Sequence, residues 1–172
     1  MVTPDDKDWT WVLDRPCPEC GFDTSTVDIV RVGSMIRDNA SAWQSVLARR
    51  DVRDRPGPDR WSPLEYAGHV RDVFRIYLER LDLMLTEDGP HYANWDQDAT
   101  AVEDRYDQAD PAAVAAELTR AAAALADRFD RVTPDQLGRT GFRSDGASFT
   151  IDTFARYFIH DPVHHLWDVR PR

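Results

Sequence analysis

Two histidines, His160 and His164, stand four residues apart in the segment FTIDTFARYFIHDPVHHLWDV at 149–169, and a third, His69, lies in an equally helical stretch far upstream. Imidazoles at i and i+4 leave one face of a helix with their ring nitrogens close enough to share an ion, and a third from a packed neighbouring helix would complete a facial set. This pattern reads as a metal site. Three imidazoles without a carboxylate leave a coordination position for water or substrate, as in a catalytic zinc centre, and a divalent ion so held lowers the pKa of a bound water or thiol. Zinc and nickel both accept imidazole, and ligand type does not choose between them. Spacing alone also admits three buried, hydrogen-bonded core histidines.

Other candidates surround this set. Cys17 and Cys20, the only cysteines, sit in CPECG at 17–21, which looks like half of a zinc-ribbon site whose second cysteine pair is absent from the sequence. A structural turn with free thiols or an adjacent disulfide is the simpler reading. The others are a site completed by another chain or by a histidine, or a redox pair. Asp72 and Asp168, near one turn from His69 and His164, are candidates to orient the ligands, in competition with salt bridges to Arg71 and Arg170. Tyr157 and Trp95 are candidate cleft residues, with His91 and Asp98 near Trp95 in the same long connection. No residue is singled out as a catalytic acid or base, and neither a Gly-x-Ser-x-Gly elbow nor a glycine-rich phosphate loop occurs.

These side chains need helices to position them, and the expected fold is all-α: a four-helix bundle with a long crossover between helices two and three. The division is an irregular N-terminal arm with the CPECG knuckle at 1–23 and the bundle at 24–172. Helix one is expected from Thr24 to about Arg50, on apolar residues recurring at three- and four-residue steps. Helix two starts at Ser62-Pro63-Leu64-Glu65, a capping box with proline at the first helical position and Trp61 and Tyr66 as a flanking staple, and runs to about Thr86. Residues 87–109 show no period and form the crossover. Asp110-Pro111 opens helix three, Thr133 to Gln136 caps one further turn, and Gly138 to Gly146 form a glycine-rich loop. Helix four begins near Ser148, with Pro162 imposing a kink between Phe158 and Asp161 or a fresh start capped by Asp161.

A formal net charge of −10 argues against nucleic acid or an anionic membrane as partner, since both are bound by clustered Lys and Arg. No apolar run approaches the roughly 20 residues of a membrane span, and the opening MVTPDDKDW lacks the basic and apolar parts of a signal peptide, so the cytoplasm is the expected compartment. The expected partners are a small-molecule substrate and, optionally, a second copy of the chain. Of 21 basic residues one is lysine, a bias that suits a GC-rich, actinobacterial genome.

RWSPLEYAGHVRDV at 60–73 and the segment at 149–169 resemble the DinB-like superfamily of metalloenzymes, which includes mycothiol- and bacillithiol-dependent S-transferases. The resemblance covers about residues 24–169, with the CPECG arm outside the family pattern and Pro162 inside its metal motif. It implies a divalent metal at one end of a four-helix bundle, with His69, His160 and His164 as ligands and His165 as the neighbour left out. It further implies a metal-dependent enzyme, with transfer of a low-molecular-weight thiol, mycothiol in an actinobacterium, as the expected reaction. A metal-dependent hydrolase, or a non-catalytic ligand-binding bundle with a structural metal, are the alternatives.

Overall fold

A computed structural model of the protein describes residues 8–171; the first seven residues of the expected arm and the C-terminal Arg172 lie outside them. The chain forms helices α1 (Val32–Leu47), α2 (Pro63–Thr86), α3 (Gln97–Glu103), α4 (Pro111–Phe129) and α5 (Ile151–Asp168), and strands β1 (His91–Tyr92), β2 (Thr140–Arg143) and β3 (Ser148–Thr150). The four long helices make the bundle, with α4 and α5 each packed against both α1 and α2.

Local chemistry places the helix starts. The Ser62 backbone N–H donates to Glu65 Oε2 at 2.8 Å while the Glu65 N–H donates to Ser62 Oγ, and the Trp61 and Tyr66 rings meet edge to face at 5.5 Å. Asp110 caps α4 by accepting from the Ala113 N–H at 2.9 Å. The core is aromatic at its centre. Phe158 of α5 lies 6.1 Å from Phe74, 4.8 Å from Tyr77 and 5.9 Å from Phe129, so one fully buried ring ties three helices together.

The crossover leaves the end of α2, where Arg80 donates to the Ala93 carbonyl at 2.8 Å. It returns beside the start of α2, where the Tyr106 ring lies on Gly68 so closely that a Cβ there would stand 3.1 Å from it. Helices α2 and α4 therefore run in the same direction, which is why the connection is long.

Three expectations are corrected. The fold is mainly helical and is not all-α, because β1, β2 and β3 form a small sheet: β1 pairs parallel with β2 (His91 opposite Phe142) and β2 antiparallel with β3 (Gly141 opposite Phe149). Strands of two to four residues are too short to show a period, although Asp145-Gly146, expected in a loop, is a hairpin dipeptide. Helix one begins at Val32 and not Thr24, because Asp23 and Asp28 each accept the backbone N–H two residues on and divide residues 24–31 into separate 3-10 turns. Helix α5 starts at Ile151, capped by Thr150, and continues through Pro162. The Pro162 carbonyl accepts from Asn39 Nδ2 of α1 at 2.7 Å. Among the described residues no helix is long and apolar enough to cross a membrane.

Candidate metal centre

Four chemistry-bearing residues on α5 fall into two interleaved pairs. Residues 160 and 164 share one face, and residues 161 and 165 share the next, rotated by about 100°. Different elements pack on the two faces, so each pair acquires different company.

The first face meets the N-terminal arm. A 3-10 turn at Trp9–Leu13 leads into the CPECG knuckle, where the Gly21 N–H donates to the Cys17 carbonyl and the Cys17 N–H to the Phe22 carbonyl, both at 2.9 Å. Gly21 has φ 74°, a left-handed conformation that costs glycine nothing. The knuckle turns both sulfurs toward α5. Cys17 Sγ lies 3.7 Å from His164 Nδ1 and Cys20 Sγ lies 3.7 Å from His160 Nε2. Neither cysteine is in a disulfide. Burial, then the neighbouring His164, brings His160 down to about 4, and burial likewise lowers His164, so both imidazoles are neutral at pH 7. Burial pushes the Cys20 thiol up to about 11 against the opposing pull of the Phe22 N–H.

The second face meets α2. His69 Nε2 lies 3.3 Å from Asp161 Oδ1, and His165 Nε2 lies 3.7 Å from the same oxygen. One ligand atom from each of these three residues lies within 4.8 Å of the others. The rings are held in place. Trp95 stacks on His69 at 5.2 Å and 6°, Trp61 lies 5.4 Å from it, and Tyr66 lies 4.8 Å from His165. His165 Nδ1 is 2.9 Å from Asp168 Oδ2, and Arg60 binds the other Asp168 oxygen at 3.0 Å. Burial alone would raise the Asp161 carboxyl, but the His69 and His165 imidazoles outweigh it and hold it below the ordinary carboxylate range.

A cation fits this second group. His69 has no exposed surface, and its Nδ1 and Nε2, like Asp161 Oδ1, have no hydrogen-bond partner among the described residues. The 3.3 Å approach of His69 to Asp161 is an ion-pair distance without hydrogen-bond alignment. Leaving buried polar atoms unpaired costs about 1–3 kcal/mol each, and a divalent ion among His69, Asp161 and His165 would satisfy one atom of each residue. The Asp161 side chain is 34% exposed overall, so the group opens to one side. It opens into a cleft of about 1550 Å³ whose walls include Trp9, Glu19, Trp95, Asp98, Arg143 and Tyr157.

The expected ligand triple is divided. His69 is brought to Asp161 and His165, whereas His160 and His164 are brought to Cys17 and Cys20; His69, His160 and His164 do not form one group among the described residues. The i, i+4 spacing of Asp161 and His165 is the same as that of His160 and His164, but a search for paired imidazoles passes over a carboxylate. Asp168 serves chiefly His165; its distance to His164 Nε2 is 3.7 Å. Asp72 does not orient His69: it pairs with Arg71 and Arg75 and accepts from the Tyr106 hydroxyl. Tyr157 stands in the cleft wall, where Arg143 donates to its hydroxyl at 3.1 Å. Trp95 both lines the cleft and braces His69. His91 stacks on Phe142 in the sheet at 5.1 Å.

The sequence profile of the DinB superfamily matches residues 35–169. Among solved structures, the chain is similar to YfiT from Bacillus subtilis, described as a probable metal-dependent hydrolase with an unusual four-helix bundle topology, with a TM-score of 0.69 at 16% identity over 98% of this chain and 91% of that one. At that identity the likeness shows the fold. No match is found among curated proteins.

Proposed function

The chain belongs to the DinB superfamily, and we propose that it is a divalent-metal-dependent enzyme whose reaction centre is His69, Asp161 and His165. The observation that carries this is the convergence with His165 of buried His69 and Asp161 atoms that lack a hydrogen bond among the described residues, where Asp161 and His165 line an open cleft. Two imidazoles and one carboxylate leave positions free for substrate. When bound there, a zinc or nickel ion would supply Lewis acidity and favour deprotonation of a thiol or water.

The protein's own residues do the positioning. Asp168 fixes the proton of His165 on Nδ1 and turns Nε2 toward Asp161, while Trp95 stacks on the His69 ring and Trp61 packs against it. Tyr157 and Trp95 offer aromatic faces to an apolar substrate, and Arg80 and Arg143 add positive charge to a wall otherwise rich in carboxylates.

For the reaction we propose S-transfer from a low-molecular-weight thiol of the mycothiol type, in the cytoplasm: the thiol sulfur forms a bond to an electrophilic carbon, the leaving group departs with the bonding pair, and the thiol proton goes to solvent. The cleft volume supports a two-substrate reaction, since about 1550 Å³ exceeds the roughly 300–1,000 Å³ usual for one small ligand. Hydrolysis is the second reading, favoured by the donor set, because two histidines and a carboxylate are also the ligands of hydrolytic zinc centres.

Metal-loaded protein incubated with mycothiol, bacillithiol or glutathione and a halogenated arene should yield the thioether with one thiol, and His165→Ala should abolish it. Turnover of simple esters or amides without any thioether would establish hydrolysis instead. Neither product from protein that binds a divalent ion at this site would overturn the enzyme reading and leave a ligand-binding bundle.

A further inference from the structure

The residues displaced from the expected triple form a group of their own. Cys17, Cys20, His160 and His164 each offer one ligand atom, and all four atoms lie within 4.8 Å of one another. Each sulfur has one nitrogen opposite it at 3.7 Å. Around a tetrahedral zinc with bonds of about 2.3 Å to sulfur and about 2.0–2.1 Å to nitrogen, the edge between a sulfur and a nitrogen is about 3.6 Å. Two of the six edges of the donor set therefore have nearly the length that such an ion requires, and the remaining four are within 4.8 Å.

We propose that Cys17, Cys20, His160 and His164 form a second, closed site for one zinc-class divalent cation, which fastens the N-terminal arm to α5. Binding releases the two thiol protons to solvent as the sulfurs become thiolate ligands. Two thiolates with two imidazoles in a tetrahedron are the donor set of zinc, and four protein ligands leave no position for substrate, so the site is structural. His164 faces Cys17 with Nδ1, and its Nε2 lies 3.7 and 3.8 Å from the Asp168 and Glu19 carboxylates, nearby but beyond hydrogen-bond distance.

A thiol–imidazole pair at 3.7 Å is also an ordinary weak hydrogen bond, but two such pairs would not by themselves draw all four donors to one point. The tight CPECG turn and the single helical face of His160 and His164 do so together. The consequence reaches the cleft. Trp9 lies 5.6 Å from His160 and 5.5 Å from His164, and Trp9, Leu13 and Glu19 form part of the cleft wall. A metal at the closed site thus builds one wall of the cavity into which the open site faces, with adjacent residues of α5 serving the two centres in alternation.

The experiment is a cobalt titration of the full chain, reduced and stripped of metal. Wild type should bind two equivalents, one of which accounts for a sulfur-to-cobalt charge-transfer absorption that zinc displaces, and both thiols should lose their reactivity toward a thiol reagent once the metal is bound. Cys17→Ser/Cys20→Ser should lose that absorption and one equivalent of metal, whereas His165→Ala should keep the absorption, because the open site contains no sulfur. If the double serine variant does not fold, the wild-type spectrum and thiol protection decide. Cobalt bound without a sulfur band, or thiols equally reactive with and without metal, would overturn the proposal. Loss of binding in His165→Ala alone with an intact sulfur band would bear on the open site and leave the closed one standing.

Discussion

Nδ1 of His165 lies 2.9 Å from Oδ2 of Asp168, three residues further along α5, so the carboxylate fixes which imidazole nitrogen faces Asp161. Asp168→Asn keeps the shape of that contact and weakens its hold on the ring proton. Metal affinity at the open site should fall by about 10–100-fold, as for other carboxylates behind metal-binding histidines, measured by competition with a chromophoric chelator. An unchanged affinity would mean that Asp168 serves only its ion pair with Arg60.

A second carboxylate sets acid stability. Burial would raise the Asp72 carboxyl, but hydrogen bonds from Arg71 and Tyr106 and the nearby Arg75 hold it below 3.8. A depressed native pKa contributes stability that is fully present above the unfolded value and lost as pH falls through the native one. Asp72→Asn should therefore cost about 2–3 kcal/mol at pH 7, and the gap to wild type should shrink as pH drops below 3.8. Urea unfolding across that range checks it; a gap independent of pH would show that packing, and not charge, is what Asp72 supplies.

Tyr106 should also make position 68 intolerant of a larger side chain. A Cβ at Gly68 would stand 3.1 Å from the ring, which is buried and tied by its hydroxyl to Asp72 and so has little room to yield. Gly68→Ala should destabilise the protein by about 1–3 kcal/mol despite its better helix propensity, seen as a lower thermal midpoint. A raised midpoint would show that the crossover can shift.

The starts of α2 and α4 are legible in sequence because caps are local: Ser62 with Glu65, and Asp110 with Pro111, announce them within four residues, whereas those of α1 and α5 lie several residues from where the periodicity puts them. The hairpin is not legible, because strands of two to four residues carry no period and only Asp145-Gly146 marks the turn. His69 is recognisable in sequence as a ligand candidate on a helix. The partners of His160 and His164 are not, because the face of α5 that each residue occupies gains meaning only from what packs on it, and the element on that face is an arm without periodicity. The sequence admits completion of the CPECG knuckle by a histidine; it marks Asp161 only as a possible cap for a helix broken at Pro162.

The two proposed centres divide five residues of α2 and α5 between them, His69, Asp161 and His165 on one side and His160 with His164 on the other. Anomalous diffraction at the zinc edge from crystals of the zinc-loaded full chain tests this division directly. Two separate peaks are predicted, one among His69 Nε2, Asp161 Oδ1 and His165 Nε2, the other among the sulfurs of Cys17 and Cys20 and the nitrogens of His160 and His164. A single peak ligated by His69, His160 and His164 together would contradict it.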